Sequence, residues 1–211
     1  MANLFSDKDP EQTLCTIARK FYKRGWMAGT AGNLSLRDSS EPDKIWITAS
    51  GKPKGQLTTD DIILISLEDA TIIEKKTAEN KASAEVSIHQ TIYKLFPQAR
   101  ACFHVHSTNA LIATQKYARQ QSELNLPAIE MIKGLNIWDA DPNISLAIFE
   151  NHSSVPDIAN DMQTKFRKNT PKINAFMIRN HGITVWSENA QTAFNQTEIV
   201  EFILEYMARQ E

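Results

Sequence analysis

The sequence predicts an α/β layered domain whose sheet is not purely parallel. Helical periodicities alternate along the chain with short β-rich runs, which is typical of a sheet flanked by helices. Near the C-terminus, residues 174–178 and 183–186 are two β-rich runs separated by a short polar segment, which predicts a hairpin. Because a hairpin joins antiparallel strands, part of the sheet is expected to be antiparallel.

The composition predicts one domain spanning residues 1–211. Hydrophobic residues make up 42% of the chain and charged residues 23%, which is ordinary for a globular protein. The formal net charge is −2 and the basic residues do not cluster, so no nucleic-acid partner is expected. No apolar run could span a bilayer and the N-terminus lacks a signal pattern, so we expect a cytoplasmic protein without membrane contact. Cys15 and Cys102 are expected to be buried, reduced thiols.

The first half of the chain predicts one helix and three strands. Asp9 and Pro10 are typical of an N-cap and first helical turn, and the apolar periodicity that follows stops at Gly25. A glycine-rich turn then leads into the first strand, which ends at Asp38. The next strands are expected at residues 44–49 and 62–67, with the Gly- and Pro-containing loop 50–55 between them.

The second half of the chain predicts further helices and a strand that carries two histidines. Ser83 is expected to cap a helix that runs to Leu95. Residues 101–106 follow as a strand in which Cys102, His104 and His106 share one face, because successive strand side chains alternate. The list of predicted elements is completed by a helix capped by Ser107, the 174–186 hairpin and a C-terminal helix at about 189–207.

Three histidines could share one metal ion. His104 and His106 are two residues apart on a strand, and His181 lies at the bend of the predicted hairpin. Three imidazoles that leave a coordination position open are the usual ligand set of catalytic zinc. The alternative is that these histidines are hydrogen-bonded residues without a metal. The other two, His89 and His152, are expected to be exposed.

Two loops and two carboxylates could complete a site. The turn at residues 29–33 and the loop 50–55 could offer backbone N–H groups to an anion, with Lys52 or Lys54 adding charge, although glycines there could also serve only as turns. Glu85 and Glu130 are possible acid/base groups. Glu85 could instead be an ordinary acid in a first helical turn, and Glu130 a solvated partner of Lys133.

Five motifs together resemble the class II aldolase family of metal-dependent sugar-phosphate enzymes. In chain order they are GTAGNLSLR, ITASGKPKG, SAEVSIH, HVHSTNA and RNHGITVW. The resemblance covers nearly the whole chain and implies a three-layer αβα sandwich around a mixed, largely antiparallel sheet. It also implies a cyclic homotetramer, one Zn²⁺ per subunit and a phosphorylated ketose as substrate.

The resemblance also assigns roles to individual residues. It makes His104, His106 and His181 the zinc ligands and Glu130 the acid/base. Positions that line the phosphate pocket in relatives correspond to Gly32, Asn33, Ser50, Gly51 and Ser83, with Lys52 and Lys133 as additions.

The stretches ITASGKPKG, EMIKG and IFEN resemble a branch of the family that dehydrates a phosphorylated ketose of methionine salvage. Glu85 matches the acid/base of aldolase members, so an aldolase or epimerase remains an alternative. A non-catalytic adaptor that binds another protein is the alternative from a different class.

Overall fold

Nine strands and five α-helices make up the computed structural model, which describes residue 5 and residues 8–210. The remaining ends of the predicted 1–211 domain lie outside the described residues. The strands are β1 (Asn33–Arg37), β2 (Lys44–Thr48), β3 (Ile62–Ser66), β4 (Ile72–Lys75), β5 (Ala101–Val105), β6 (Glu123–Asn125), β7 (Ser145–Phe149), β8 (Ala175–Ile178) and β9 (Gly182–Ser187). The helices are α1 (Pro10–Lys23), α2 (Val86–Leu95), α3 (Thr108–Tyr117), α4 (Val155–Lys168) and α5 (Ala190–Arg209).

The strands form one mixed sheet in the order β4-β3-β2-β1-β5-β9-β8-β7-β6. Seven of its neighbouring pairs are antiparallel, and β7 with β8 is the parallel pair. The predicted hairpin is β8–β9, so the mixed, largely antiparallel sheet is confirmed. Strand β5 lies in the middle of the sheet, between β1 and β9, and this position brings the glycine-rich turn and the hairpin beside it.

Two hydrophobic cores cover the two faces of the sheet, which confirms the three-layer αβα sandwich. One core contains the apolar residues of α1, α3 and α5, and the other contains those of α2 and α4. Strand alternation assigns side chains to the two cores: Phe103 and Val105 of β5 face the first, and Cys102 faces the second. Both cysteines are buried and free, as predicted.

Local capping explains where the helices begin. Asp9 caps α1 by accepting the N–H of Gln12, Ser107 caps α3, and Asn189 caps α5. The prediction for α2 was wrong at its start, because Glu85 occupies the N-cap and Ser83 accepts the N–H of Glu85 instead. The sequence did not predict β4, β6, β7 and α4. Within residues 8–210, no helix has the length and apolar character needed to cross a membrane.

Candidate metal centre and substrate pocket

The three predicted histidines meet because β5 and β9 are neighbours. His104 lies in β5 and His106 follows its last residue, where its backbone N–H donates to the carbonyl of Trp26 at 2.8 Å. His181 lies in the turn between β8 and β9, and Val105 pairs with Ile183 across the β5–β9 ladder. The register therefore places the turn beside the end of β5.

The ring nitrogens of the three histidines converge. His104 Nε2 lies 2.9 Å from His106 Nε2 and 3.4 Å from His181 Nε2. A tetrahedral zinc ion bonded to nitrogens at about 2.0–2.1 Å holds them roughly 3.3 Å apart, so the spacing fits an ion at their centre. Glu85 Oε1 joins the cluster, at 2.8 Å from His181 Nε2 and 3.6 Å from His104 Nε2. These four residues could hold a metal ion, since their ligand atoms all lie within 4.8 Å of one another.

Burial sets the protonation of the cluster. It lowers the pKa of His104 to about 4, and together with the neighbouring imidazoles it lowers the pKa of His106 to about 3. Both rings are therefore neutral at neutral pH and have lone pairs available for a metal. Burial would raise the pKa of Glu85, but the interaction with His104 and the hydrogen bond with His181 outweigh it and hold this pKa well below its ordinary value. The cluster thus offers the neutral nitrogens of His104 and His106 and one carboxylate.

The Nδ1 atoms of two of the imidazoles also have polar partners. His104 Nδ1 lies 2.9 Å from the hydroxyl of buried Thr184, and His181 Nδ1 lies 3.2 Å from Asn151 Oδ1. An imidazole that uses Nε2 for a metal carries its proton on Nδ1, and an oxygen acceptor there fixes the tautomer and the ring orientation. Asn151 is the last residue of the IFEN stretch, which gives that motif a local physical role.

A cavity of about 250 Å³ opens next to the cluster and is lined by five of the seven residues predicted to bind phosphate. His106 and Glu85 of the cluster also line it. Backbone N–H groups and small hydroxyl side chains in such a concave site suit an anion. The predicted residues that line it are Gly32, Asn33, Ser50, Gly51 and Ser83.

Of the two lysines in the 50–55 loop, the structure places Lys54 in this cavity and Lys52 outside its lining. Lys54 is buried, and its Nζ donates to the carbonyls of Thr30 at 2.8 Å and Lys52 at 3.0 Å. Burial lowers the pKa of Lys54 to about 8, so its ammonium is more easily deprotonated than a surface lysine. The ammonium of Lys52 pairs instead with Asp61 at 3.0 Å. Sequence inspection had named both lysines and preferred Lys52.

A second cavity of about 400 Å³ also adjoins the histidines. Its lining includes His106, His181 and Asn151, together with the apolar side chains of Ala28 and Leu111. His106 lines both cavities, and each lining combines polar and apolar groups. This arrangement can accept an elongated molecule whose middle atoms reach the cluster.

Glu130 and Lys133 lie elsewhere in this chain. They belong to the 3-10 helix Glu130–Leu135, their side chains are 83% and 45% exposed, and they form an ion pair at 2.8 Å. Neither residue lines the cavity beside the histidines or belongs to the four-residue cluster.

The two remaining histidines differ from each other. His152 is exposed and pairs with Asp161 at 2.8 Å, as predicted for a surface residue. The prediction for His89 was wrong, because His89 is fully buried and lies between Asn33 and Ser35. The four-residue spacing of Glu85 and His89 predicts that both lie on one helix face, but it does not predict that this face is buried.

Known proteins resemble this chain over most of its length. A methylthioribulose-1-phosphate dehydratase from Microcystis aeruginosa is 46% identical over 94% of this chain and 95% of its own. A protein of the same name from Leptospira biflexa is 39% identical over 94% and 96% of the two chains. The crystal structure of L-fuculose-1-phosphate aldolase from Thermus thermophilus has a TM-score of 0.71, with 21% identity over 95% of this chain and 94% of that one. The family model described as Class II Aldolase and Adducin N-terminal domain matches residues 12–208, and the chain belongs to that family.

Proposed function

We propose that this chain is a metal-dependent lyase that removes water from 5-methylthioribulose 1-phosphate and yields 2,3-diketo-5-methylthiopentyl 1-phosphate. The observation that carries the proposal is the near full-length identity with dehydratases of that substrate. The geometry supports it, because a cluster suited to a metal adjoins a cavity suited to a phosphate. Such a reaction belongs to methionine salvage and involves no redox change.

We infer that the metal is zinc and that His104, His106 and His181 hold it through Nε2. The donor set supports this assignment, because imidazole nitrogens are borderline-soft ligands that zinc accepts in catalytic sites. A bound ion of this kind supplies Lewis acidity to the C2 carbonyl and the adjacent hydroxyl of a ketose. Metal analysis of purified protein tests the identity of the ion.

The substrate phosphate is proposed to occupy the cavity beside Glu85. Peptide N–H groups at Gly32 and Gly51 and the hydroxyls of Ser50 and Ser83 suit its oxygens, and Lys54 adds positive charge at the wall. The methylthio end would then extend past the histidines toward Leu111, where the second cavity is partly apolar.

Dehydration requires a base for the C3 proton and an acid for the C4 hydroxyl. The base takes the C3 proton, the C4 hydroxyl leaves as water after it is protonated, and the enol that results tautomerises to the diketone. The resemblance assigns this work to Glu130. Its exposed carboxylate would act after the 130–135 segment closes on a substrate, or in the site of a neighbouring subunit of the proposed homotetramer.

A second candidate function is aldol cleavage or epimerisation with Glu85 as the acid/base. The observation that favours it is the position of the Glu85 carboxylate, 2.8 Å from His181 Nε2 and in the lining of the cavity. In the dehydratase proposal Glu85 is instead a carboxylate that shapes the metal centre. The two candidates differ in which glutamate is required and in which product forms.

The deciding experiment assays wild type, Glu85→Gln and Glu130→Gln with methylthioribulose 1-phosphate and with a simple ketose 1-phosphate. Dehydration gives a product lighter by one water, whereas aldol cleavage gives two fragments. We expect Glu130→Gln to abolish dehydration and to keep its metal. Near wild-type dehydration by this variant would show that Glu130 is not the acid/base.

A matched control is His152→Gln, which changes an exposed histidine that is not in the cluster. It should leave both the metal content and the turnover unchanged. Metal analysis of the wild type tests the adaptor alternative, which predicts no stoichiometric metal and no product. Light scattering tests the proposed homotetramer, and the cytoplasmic location can be tested by fractionation of cells.

A further inference from the structure

A buried row of polar side chains lies behind Glu85. Strand β1 contributes Asn33 and Ser35, two residues apart on one face, while His89 and Tyr93 follow Glu85 at four-residue intervals along α2. Asn33, Ser35, His89 and Tyr93 are all nearly inaccessible to solvent. The strand and helix periodicities therefore place five polar side chains in one continuous line.

The hydrogen bonds along this row have a defined direction. A carboxylate accepts only, so Asn33 must present its Nδ2 to Glu85 Oε2 and its Oδ1 to His89 Nε2. His89 Nε2 must then carry the proton, which leaves Nδ1 as an acceptor 2.6 Å from Ser35 Oγ. The Tyr93 hydroxyl lies 2.9 Å from Ser35 Oγ and donates toward Ser35.

We propose that His89 is a positioning residue for the metal centre. As the neutral Nε2–H tautomer it fixes the amide of Asn33, and Asn33 holds Glu85 Oε2 so that Glu85 Oε1 faces the histidines. The hydrogen bonds of His89 go to Asn33 and Ser35, so it acts on Glu85 through Asn33. Burial lowers the pKa of His89 to about 4, against the opposing charge of Glu85, which is consistent with a neutral ring.

A purely structural role explains this row less well. The other buried side chains of α2, Val86, Ile88 and Ile92, are apolar and fill the same core. Burying a polar group lowers stability unless its donors and acceptors are paired, so His89 needs partners on two sides, whereas an apolar residue at position 89 would fill the core without any. The pairing of both His89 nitrogens is what a role in orienting Glu85 requires.

The protonation of His89 can be measured without any assay of turnover. Protein labelled with ¹⁵N-histidine and loaded with zinc is examined by NMR, and the His89 signals are assigned by their loss in His89→Gln. We expect a neutral ring with the proton on Nε2 at every pH from about 6 to 8. A proton on Nδ1, or a charged ring, would overturn the proposal.

The functional consequence rests on the proposed dehydratase activity and is tested with two variants. His89→Gln keeps a donor for Asn33 and an acceptor for Ser35, whereas His89→Leu removes both. In His89→Leu the amide of Asn33 is no longer fixed, so its hydrogen bond to the charged Glu85 is weakened. This should lower kcat roughly 10- to 100-fold and change KM by less than about threefold. His89→Gln should recover to within roughly fivefold of wild type.

Equal kcat in His89→Leu and wild type, or no recovery in His89→Gln, would overturn the positioning role. If His89→Leu does not fold, Ser35→Ala replaces it, because this variant removes the hydroxyl that donates to His89 Nδ1 and leaves the Tyr93 hydroxyl its bond to the carbonyl of Ser35. A kcat for Ser35→Ala equal to that of wild type would also count against the proposal. If wild type shows no dehydration at all, the proposed function fails, while the NMR result still decides the state of His89.

Discussion

Glu201 makes the stability of this protein depend on pH in a way that can be calculated. It lies on α5 with 1% of its surface exposed, and burial raises its pKa from 4.5 to about 7, against a lowering by Ser107. The stabilising contribution of the protonated form is complete below the unfolded-state value of 4.5 and is lost as the pH rises through about 7. Glu201→Gln removes this titration and nearly preserves the shape of the side chain.

The expected change in the free energy of unfolding follows from the pKa shift of Glu201. At 1.36 kcal/mol per pKa unit, the full shift corresponds to about 3 kcal/mol, and about 2 kcal/mol or more of it should appear between pH 5 and pH 8. Urea unfolding of wild type and Glu201→Gln is therefore measured at both pH values and at one protein concentration, since assembly would otherwise change the apparent stability. The free energy of unfolding of Glu201→Gln, relative to that of wild type, should increase by that amount between pH 5 and pH 8.

The control is Glu205→Gln, one turn further along α5, where the carboxylate is 40% exposed and paired with Arg209. This variant should show a pH dependence within about 0.5 kcal/mol of wild type, because an exposed pair contributes little. A constant difference between Glu201→Gln and wild type at pH 5 and pH 8 would refute the assignment of a raised pKa to Glu201.

Three further predictions concern the candidate site. Thr184→Val removes the partner of His104 Nδ1 and should weaken zinc binding roughly 10- to 100-fold, measured by competition with a chelator. Gly182→Ala would place a methyl group 2.1 Å from the carbonyl of Val105, so it should separate β5 from β9 and lower both the Tm and the metal content. Lys54→Met should raise KM for the phosphorylated substrate roughly 10-fold or more while metal content stays at the wild-type level, as measured by initial rates and metal analysis.

The sequence predicted the parts of the site that depend on short-range periodicity. His104 and His106 share a face because strand side chains alternate, and the polar segment around His181 identified the hairpin bend. The loops that line the anion cavity were recognisable from their glycines and serines. In each of these cases the relevant residues lie within a few positions of one another.

The sequence could not reveal relationships that depend on how strands are ordered. Asn33 lies directly opposite His104 because β1 pairs with β5, although the two residues are far apart in the chain. The same strand order brings the start of α2 to the metal cluster, so Glu85 faces the histidines. Periodicity alone cannot predict that His89 is buried, because its partners Asn33 and Ser35 belong to a different element.

Two glycines show how closely the neighbouring strands must approach the end of β5. A Cβ atom on Gly182 would lie 2.1 Å from the carbonyl of Val105, and one on Gly32 would lie 2.8 Å from the carbonyl of His104. Gly32 also has φ +75°, a conformation that L side chains rarely adopt. Glycine is thus required at two positions that flank the end of β5. Gly32, in the turn before β1, faces the carbonyl of His104, and Gly182, at the start of β9, faces the carbonyl of Val105. Because the backbones approach so closely, the turn before β1 and the hairpin bend are held against His104 and His106, so the 250 Å³ cavity adjoins the cluster of Glu85 and the three histidines.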